Sequence, residues 1–188
     1  MDIVNRNPKI YLLCGKARHG KDTIAGFLTD CYHEDNKKVI ISRAGKYIRY
    51  YVSDITGWDG SEENKPRELL QQIGTEIIRK KLNKANMLLE RQNDDILIYS
   101  YFCDCIIVPD IRLPEEIASI KSKFDNVVVI HVERINFESE LTNLQSKHLT
   151  EVAMDNYDDY DYKLINDTLE QLKLDVKKIY EKEKKENE

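Results

Sequence analysis

A chain of 188 residues is the size of one domain with a core of its own. Its 41% hydrophobic and 34% charged residues describe a globular, water-soluble protein, and a net charge of −5 argues against binding nucleic acid through the phosphate backbone. No apolar run is long enough to span a membrane, residues 1–8 lack the apolar stretch of a signal peptide, and Cys14, Cys31, Cys103 and Cys105 lack paired zinc-site spacing, so they read as free thiols in a reducing cytoplasm.

The first element is the apolar run Ile10 to Cys14, which breaks at Gly15 as a buried parallel strand does on leaving its sheet. Beyond Gly20, Ile24, Phe27, Leu28 and Cys31 fall on one helical face. Between strand and helix lies Gly15-Lys-Ala-Arg-His-Gly20-Lys21, the G-x-x-x-x-G-K frame of a phosphate loop. Its glycines let successive N–H groups and the helix N-terminus face an anion, and Lys21 reaches the outer phosphates. The next position ordinarily carries a Mg²⁺-ligating hydroxyl; here it is Asp22, followed by Thr23. Asp22 reads either as a hard ligand for Mg²⁺ or as a charge favouring the helix N-terminus.

Lys38–Ser42 reads as a second strand, Tyr47–Ile55 as a helix ending near Gly57, and 57–64 as a loop. Pro66 suits a helix start, and Leu69, Leu70, Ile73 and Ile77 form one apolar stripe interrupted by Gly74. Gly74 marks either a close helix contact or the approach of a substrate. Asp94–Phe102 continues the helix of Met87–Arg91, although alternation at Ile96 and Ile98 also fits a strand. Strands follow at Cys105–Pro109, Val127–Val132 and Tyr162–Ile165, with a helix from Pro114 between the first two. Thr168-x-x-Gln171 reads as a capping box for a last helix bearing Leu169, Leu172, Val176 and Ile179, and 181–188 as a frayed tail. Strands alternating with helices predict an α/β domain with a five-stranded parallel sheet between helical layers.

Ligands of such sheets collect at the carboxyl ends of the strands. Those ends carry Arg43, Asp110, Arg112, Glu133 and Arg134, cations and carboxylates suited to a nucleotide triphosphate, a metal and a second anion. Asp110 stands where P-loop enzymes place a Mg²⁺-orienting carboxylate, or it caps the helix that opens at Pro114; Arg112 clamps phosphate or pairs with Glu115 or Glu116. His148 and Glu151 have the spacing of a helical pair.

The loop Gly20-Lys21-Asp22-Thr23 resembles that of phage-type deoxynucleoside monophosphate kinases, and phosphomevalonate kinases share a similar Gly-Lys-Asp loop. Arg67–Arg79, Pro109–Glu116 and His148-Leu-Thr-Glu151 are similar to stretches of the same group, in the same order. The resemblance implies strand order 2-3-1-4-5, an acceptor-binding helical insert over 43–92 and a lid over 136–159. It implies ATP and Mg²⁺ as cofactors and transfer of a phosphoryl group to a (deoxy)nucleoside monophosphate. Lys21, Asp110 and Arg112 would be catalytic. The nucleotide would lie on Gly15, Lys16, Ala17, Arg18, His19, Gly20, Lys21, Asp22, Thr23 and Arg134. Arg43, Arg67, Arg79 and Arg112 would hold the acceptor, and Asp22 and Asp110 the metal. The lid departs from the family's arginine-rich pattern, offering Lys147 and His148 as cations. Another small-molecule P-loop kinase, or a nucleotide-binding module without turnover, stands as the alternative; a homodimer is left open.

Overall fold

The computed structural model describes residues 3–135, 137, 142 and 146–186. Its centre is a five-stranded sheet in the order β2-β3-β1-β4-β5, with every neighbouring pair parallel. The strands are β1 (Lys9–Cys14), β2 (Val39–Ile41), β3 (Cys105–Ile111), β4 (Val127–Arg134) and β5 (Tyr162–Asn166). β1 lies between β3 and β4, with Ile10 opposite both Ile106 and Val127. A strand with neighbours on both edges and helices on both faces must be apolar throughout, and residues 10–14 are all essentially inaccessible to solvent.

Alternate β1 residues feed two cores. Tyr11 and Leu13 pack with α1 (Lys21–Glu34) and the last helix; Ile10, Leu12 and Cys14 pack with α4 (Ala85–Tyr99) and α5 (Pro114–Lys121). The helix over Asp94–Phe102 is confirmed as far as Tyr99, with Ile96 in the core while Ile98 faces solvent. The expected boundary of the insert at residue 92 therefore falls within one continuous helix.

A third cluster lies off the sheet, between α2 (Lys46–Thr56), α3 (Arg67–Gln71) and the helical segment Gln72–Lys81. That segment is π-helical, closing with the Leu82 N–H on the Ile77 carbonyl five residues back at 2.9 Å. The wider turn corrects the expected stripe: Ile78, five residues beyond Ile73, is buried, whereas Ile77 is 40% exposed. The same register stacks Gly74 with Arg79. A Cβ on Gly74 would come within 2.8 Å of Ile48 Cδ1, so the close helix contact is real, and Gly74 also lines a cavity described below.

After α6 (Leu149–Val152), β5 leads into the last helix, α7 (Leu169–Lys185), whose Thr168 cap accepts from Gln171 N–H. The expected fraying of 181–188 is corrected for 181–185. Glu183 is buried, taking an ion pair from Lys9 at 2.9 Å and a hydrogen bond from Tyr162 Oη at 2.6 Å. A tail of charged residues reads as solvated only until one carboxylate finds a buried partner. Glu183→Ala leaves Lys9 shielded and uncompensated, and should lower stability by about 2–4 kcal/mol in urea titrations; an unchanged midpoint would make the pair incidental. Of the expected lid over 136–159, residues 136, 138–141 and 143–145 lie outside the described residues. No helix among the described residues is long and apolar enough to cross a membrane.

Candidate active site

The loop between β1 and α1 is fixed from three sides. Gly15 has φ +144, and a Cβ there would lie 2.4 Å from the Val132 carbonyl oxygen of β4. Gly20 has φ +110, with Asn166 Nδ2 at 2.5 Å from its would-be Cβ. The Gly15 position therefore requires glycine twice over, for backbone conformation and for space, and the Gly20 position for its backbone conformation. Asn166, at the end of β5, donates to the His19 carbonyl at 3.0 Å, and the Arg134 N–H donates to His19 Nδ1 at 3.2 Å. Asn166 thus shapes the loop, although nothing in the sequence distinguished it from the turn residues around it. Arg134 turns its guanidinium over Phe137, 4.8 Å from the ring centre.

Lys21 is buried and donates to the carbonyls of Gly15 and Lys16, each at 2.7 Å. Burial, followed by the nearby charge of Arg112, brings its ammonium down to about 7. Asp22 stands exposed in the first turn of α1 and pairs with Arg43, which follows β2, at 2.7 Å. Arg43 is thereby held at the loop rather than in the acceptor region the sequence assigned to it.

Asp110 faces the start of α2. Its two carboxylate oxygens accept the N–H groups of Ala44 and Gly45 at 2.8 and 3.0 Å, so it ties down the turn that leads into α2 and does not cap the helix that opens at Pro114. Arg112 pairs with neither Glu115 nor Glu116 through its side chain; it donates to Glu151 at 2.8 Å. Glu116 instead accepts the N–H groups of Arg112 and Leu113 at 2.8 and 3.1 Å and meets Arg79 at 3.4 Å. Burial outweighs these contacts and pushes the Glu116 carboxyl up.

Arg79 and Arg112 open onto a cavity of about 210 Å³ between the helices over residues 46–99 and the end of β3. Its wall carries five cations (Arg49, Lys65, Arg67, Arg79, Arg112) against three carboxylates (Asp110, Glu116, Glu151). At its rim Lys65, Arg67 and Arg49 surround Glu62 at 2.6, 3.5 and 3.9 Å. Against burial, which alone would raise it, these cations hold the Glu62 carboxyl down. Arg49 and Lys65 escaped the sequence reading because each sits in a segment that looks like an ordinary solvated helix or loop. Gln92 was missed as well: it lines the cavity, donating to Ser42 Oγ at 3.3 Å, with its Oε1 buried and unpartnered.

A second cavity, of about 380 Å³, lies under the phosphate loop between Lys16, His19, His131 and Tyr160. Arg112, Thr150 and Glu151 line both cavities. The described residues contain no cluster of three or more His, Cys, Asp or Glu side chains placed to hold a metal by themselves. A Mg²⁺ ion needs less, since one or two carboxylates plus substrate phosphates and waters complete its shell. Asp22 is an exposed carboxylate in the first turn of the helix that follows the loop. Asp110, with both oxygens already accepting backbone N–H groups, has the weaker claim.

No protein-family model and no curated protein matches this sequence. Solved structures do match the fold. The APS kinase CysC of Mycobacterium tuberculosis, in complex with AMPPNP and APS, superposes with a TM-score of 0.56 at 12% identity, over 93% of this chain and 98% of that one. A cysteine-to-alanine mutant of that enzyme gives 0.53 at 12% identity, over 93% and 97% of the two chains. The sheet order and these likenesses give the chain the fold of the P-loop kinases.

Proposed function

We propose that the protein is an ATP- and Mg²⁺-dependent kinase whose acceptor is a nucleoside monophosphate, with deoxynucleoside monophosphates the first candidates. The observation that carries this reading is the position of Arg112. One guanidinium lines both the phosphate-loop cavity and a cation-walled cavity next to it, so two phosphate groups bound in the two cavities would meet across it. The resemblance in the loop and in Arg67–Arg79 supports the nucleotide as acceptor.

The loop amides and Lys21 bind the outer phosphates of the donor, and Arg67 and Arg79 orient the acceptor phosphate. Arg112 neutralises charge on the group in transit, the term that dominates phosphoryl transfer. The acceptor phosphate oxygen is already a nucleophile, so no side chain has to take a proton from it. Mg²⁺, which Asp22 would hold once released from Arg43, supplies further neutralisation of the phosphates.

The experiment separates the two subsites. Arg79→Ala should raise the acceptor KM about tenfold or more while leaving the ATP KM within about twofold, because a charge-assisted phosphate contact is lost on one side only. Steady-state kinetics with each substrate varied in turn give both constants. Equal effects on both, or none, would remove the cavity from acceptor binding.

A further inference from the structure

The polar segment before β5 sends a carboxylate into the phosphate loop. Glu151 lies in the short helix α6, which begins where the His148 ring accepts from the Thr150 N–H. One Glu151 oxygen accepts from Arg112 Nη1 at 2.8 Å; the other accepts from the Ala17 N–H at 3.4 Å, a long hydrogen bond. The Glu151 side chain is only 10% exposed, so the carboxylate itself is largely shielded from water. Four residues on, Asp155 meets Lys16 of the same loop at 3.1 Å. The charged and titratable groups around Glu151 include Arg112, the buried Lys21, His148 and the Lys16–Asp155 pair.

A carboxylate and the edge of a phosphate offer the same thing to such donors, two anionic oxygens at the spacing of a guanidinium fork or a pair of amides. We infer that Glu151 is a built-in competitor of nucleotide phosphate. Its carboxylate and a phosphate oxygen claim the same two donors, the Ala17 N–H and the Arg112 guanidinium, and a bound triphosphate must displace it. Glu151 is thus a positioning residue. It holds Arg112 beside the loop, and the exchange hands that arginine to the phosphate already aimed. The inference rests on the phosphate-loop reading proposed above and adds to it a cost of nucleotide binding set by this chain's own side chain.

The test titrates inorganic tripolyphosphate, without divalent ions, into the full chain by calorimetry. The parent, Glu151→Gln and Glu151→Asp are compared, and melting is followed with and without the anion. Glu151→Gln should bind about tenfold more tightly, the scale of one charge-assisted hydrogen bond no longer competed for. Glu151→Asp keeps the charge but loses the reach to Ala17, and should fall between the other two. Both variants should melt lower than the parent alone yet gain more from the anion, a pairing that loss of a merely structural tie does not produce. If Glu151→Gln does not fold, Glu151→Asp carries the comparison. Parent and variants binding equally, or variants more weakly, would overturn the inference and leave the phosphate loop standing. So would Glu151→Asp matching the parent while Glu151→Gln binds tighter, since bare charge would then explain everything. Binding by none of the three would overturn the inference together with the phosphate-loop reading.

Discussion

Lys21→Ala should lower turnover about 10²–10⁴-fold and leave the protein folded, the scale of a lost transition-state charge contact. The fold survives because the ammonium is spent on loop carbonyls rather than on the core: its partners are Gly15 O and Lys16 O. The same residue gives a pH signature. A buried ammonium brought down to about 7 is mostly neutral in the protein at pH 8–9, and a triphosphate beside it would favour the charged form. Triphosphate binding in that range should therefore take up a proton, and affinity should fall as pH rises above 7. Calorimetry in buffers of different ionisation enthalpy measures the proton directly. A folded Lys21→Ala protein with near-normal turnover would remove Lys21 from the phosphates, and binding with no proton uptake at pH 8–9 would show that its ammonium is already charged in the free protein.

The second large effect belongs to Gly15. A Cβ there would lie 2.4 Å from a backbone carbonyl oxygen of β4, at a φ of +144 that side-chain-bearing residues avoid. A backbone oxygen in a central strand cannot swing aside as a flexible side chain does. Gly15→Ala should cost about 3 kcal/mol or more in chemical denaturation, strain and overpacking together, and should abolish phosphate binding by moving the loop. Gly26→Ala is the internal control. It lies within α1, and its Cβ would meet nothing within 4 Å. It should gain about 0.5–1 kcal/mol from helix propensity. Equal behaviour of the two variants would show that the loop is not held against the sheet.

The phosphate loop, the five strands and most helices were legible because each rests on a local signal. Apolar runs of strand length, a three-residue glycine and lysine frame and a capping threonine need no knowledge of what lies across the fold. The strand order was different: spacing left it open, and it came with the family resemblance. What was illegible depended on partners distant in sequence. Glu183 looked like tail because its partners are Lys9 and Tyr162. Ile77 looked buried because a 3.6-residue period was assumed where the helix widens to a five-residue bond. Glu151 was visible within a motif, but its engagement of Ala17 and Arg112 follows from how the segment before β5 returns over the loop. For Arg43 and Asp110, their position at strand ends was legible, whereas their partners, Asp22 and the Ala44 and Gly45 amides just before α2, were not.

The central claim is that the two cavities bridged by Arg112 hold a phosphate donor and a phosphate acceptor. It is tested most directly by product stoichiometry. The protein is incubated with Mg²⁺, ATP and each nucleoside and deoxynucleoside monophosphate in turn, and the products are resolved by chromatography. For at least one acceptor the account predicts ADP and the acceptor's diphosphate in equal amounts, both formed about 10²–10⁴-fold more slowly with Lys21→Ala. ADP accompanied by inorganic phosphate in place of an acceptor diphosphate, or no ADP with any member of the panel, would contradict it.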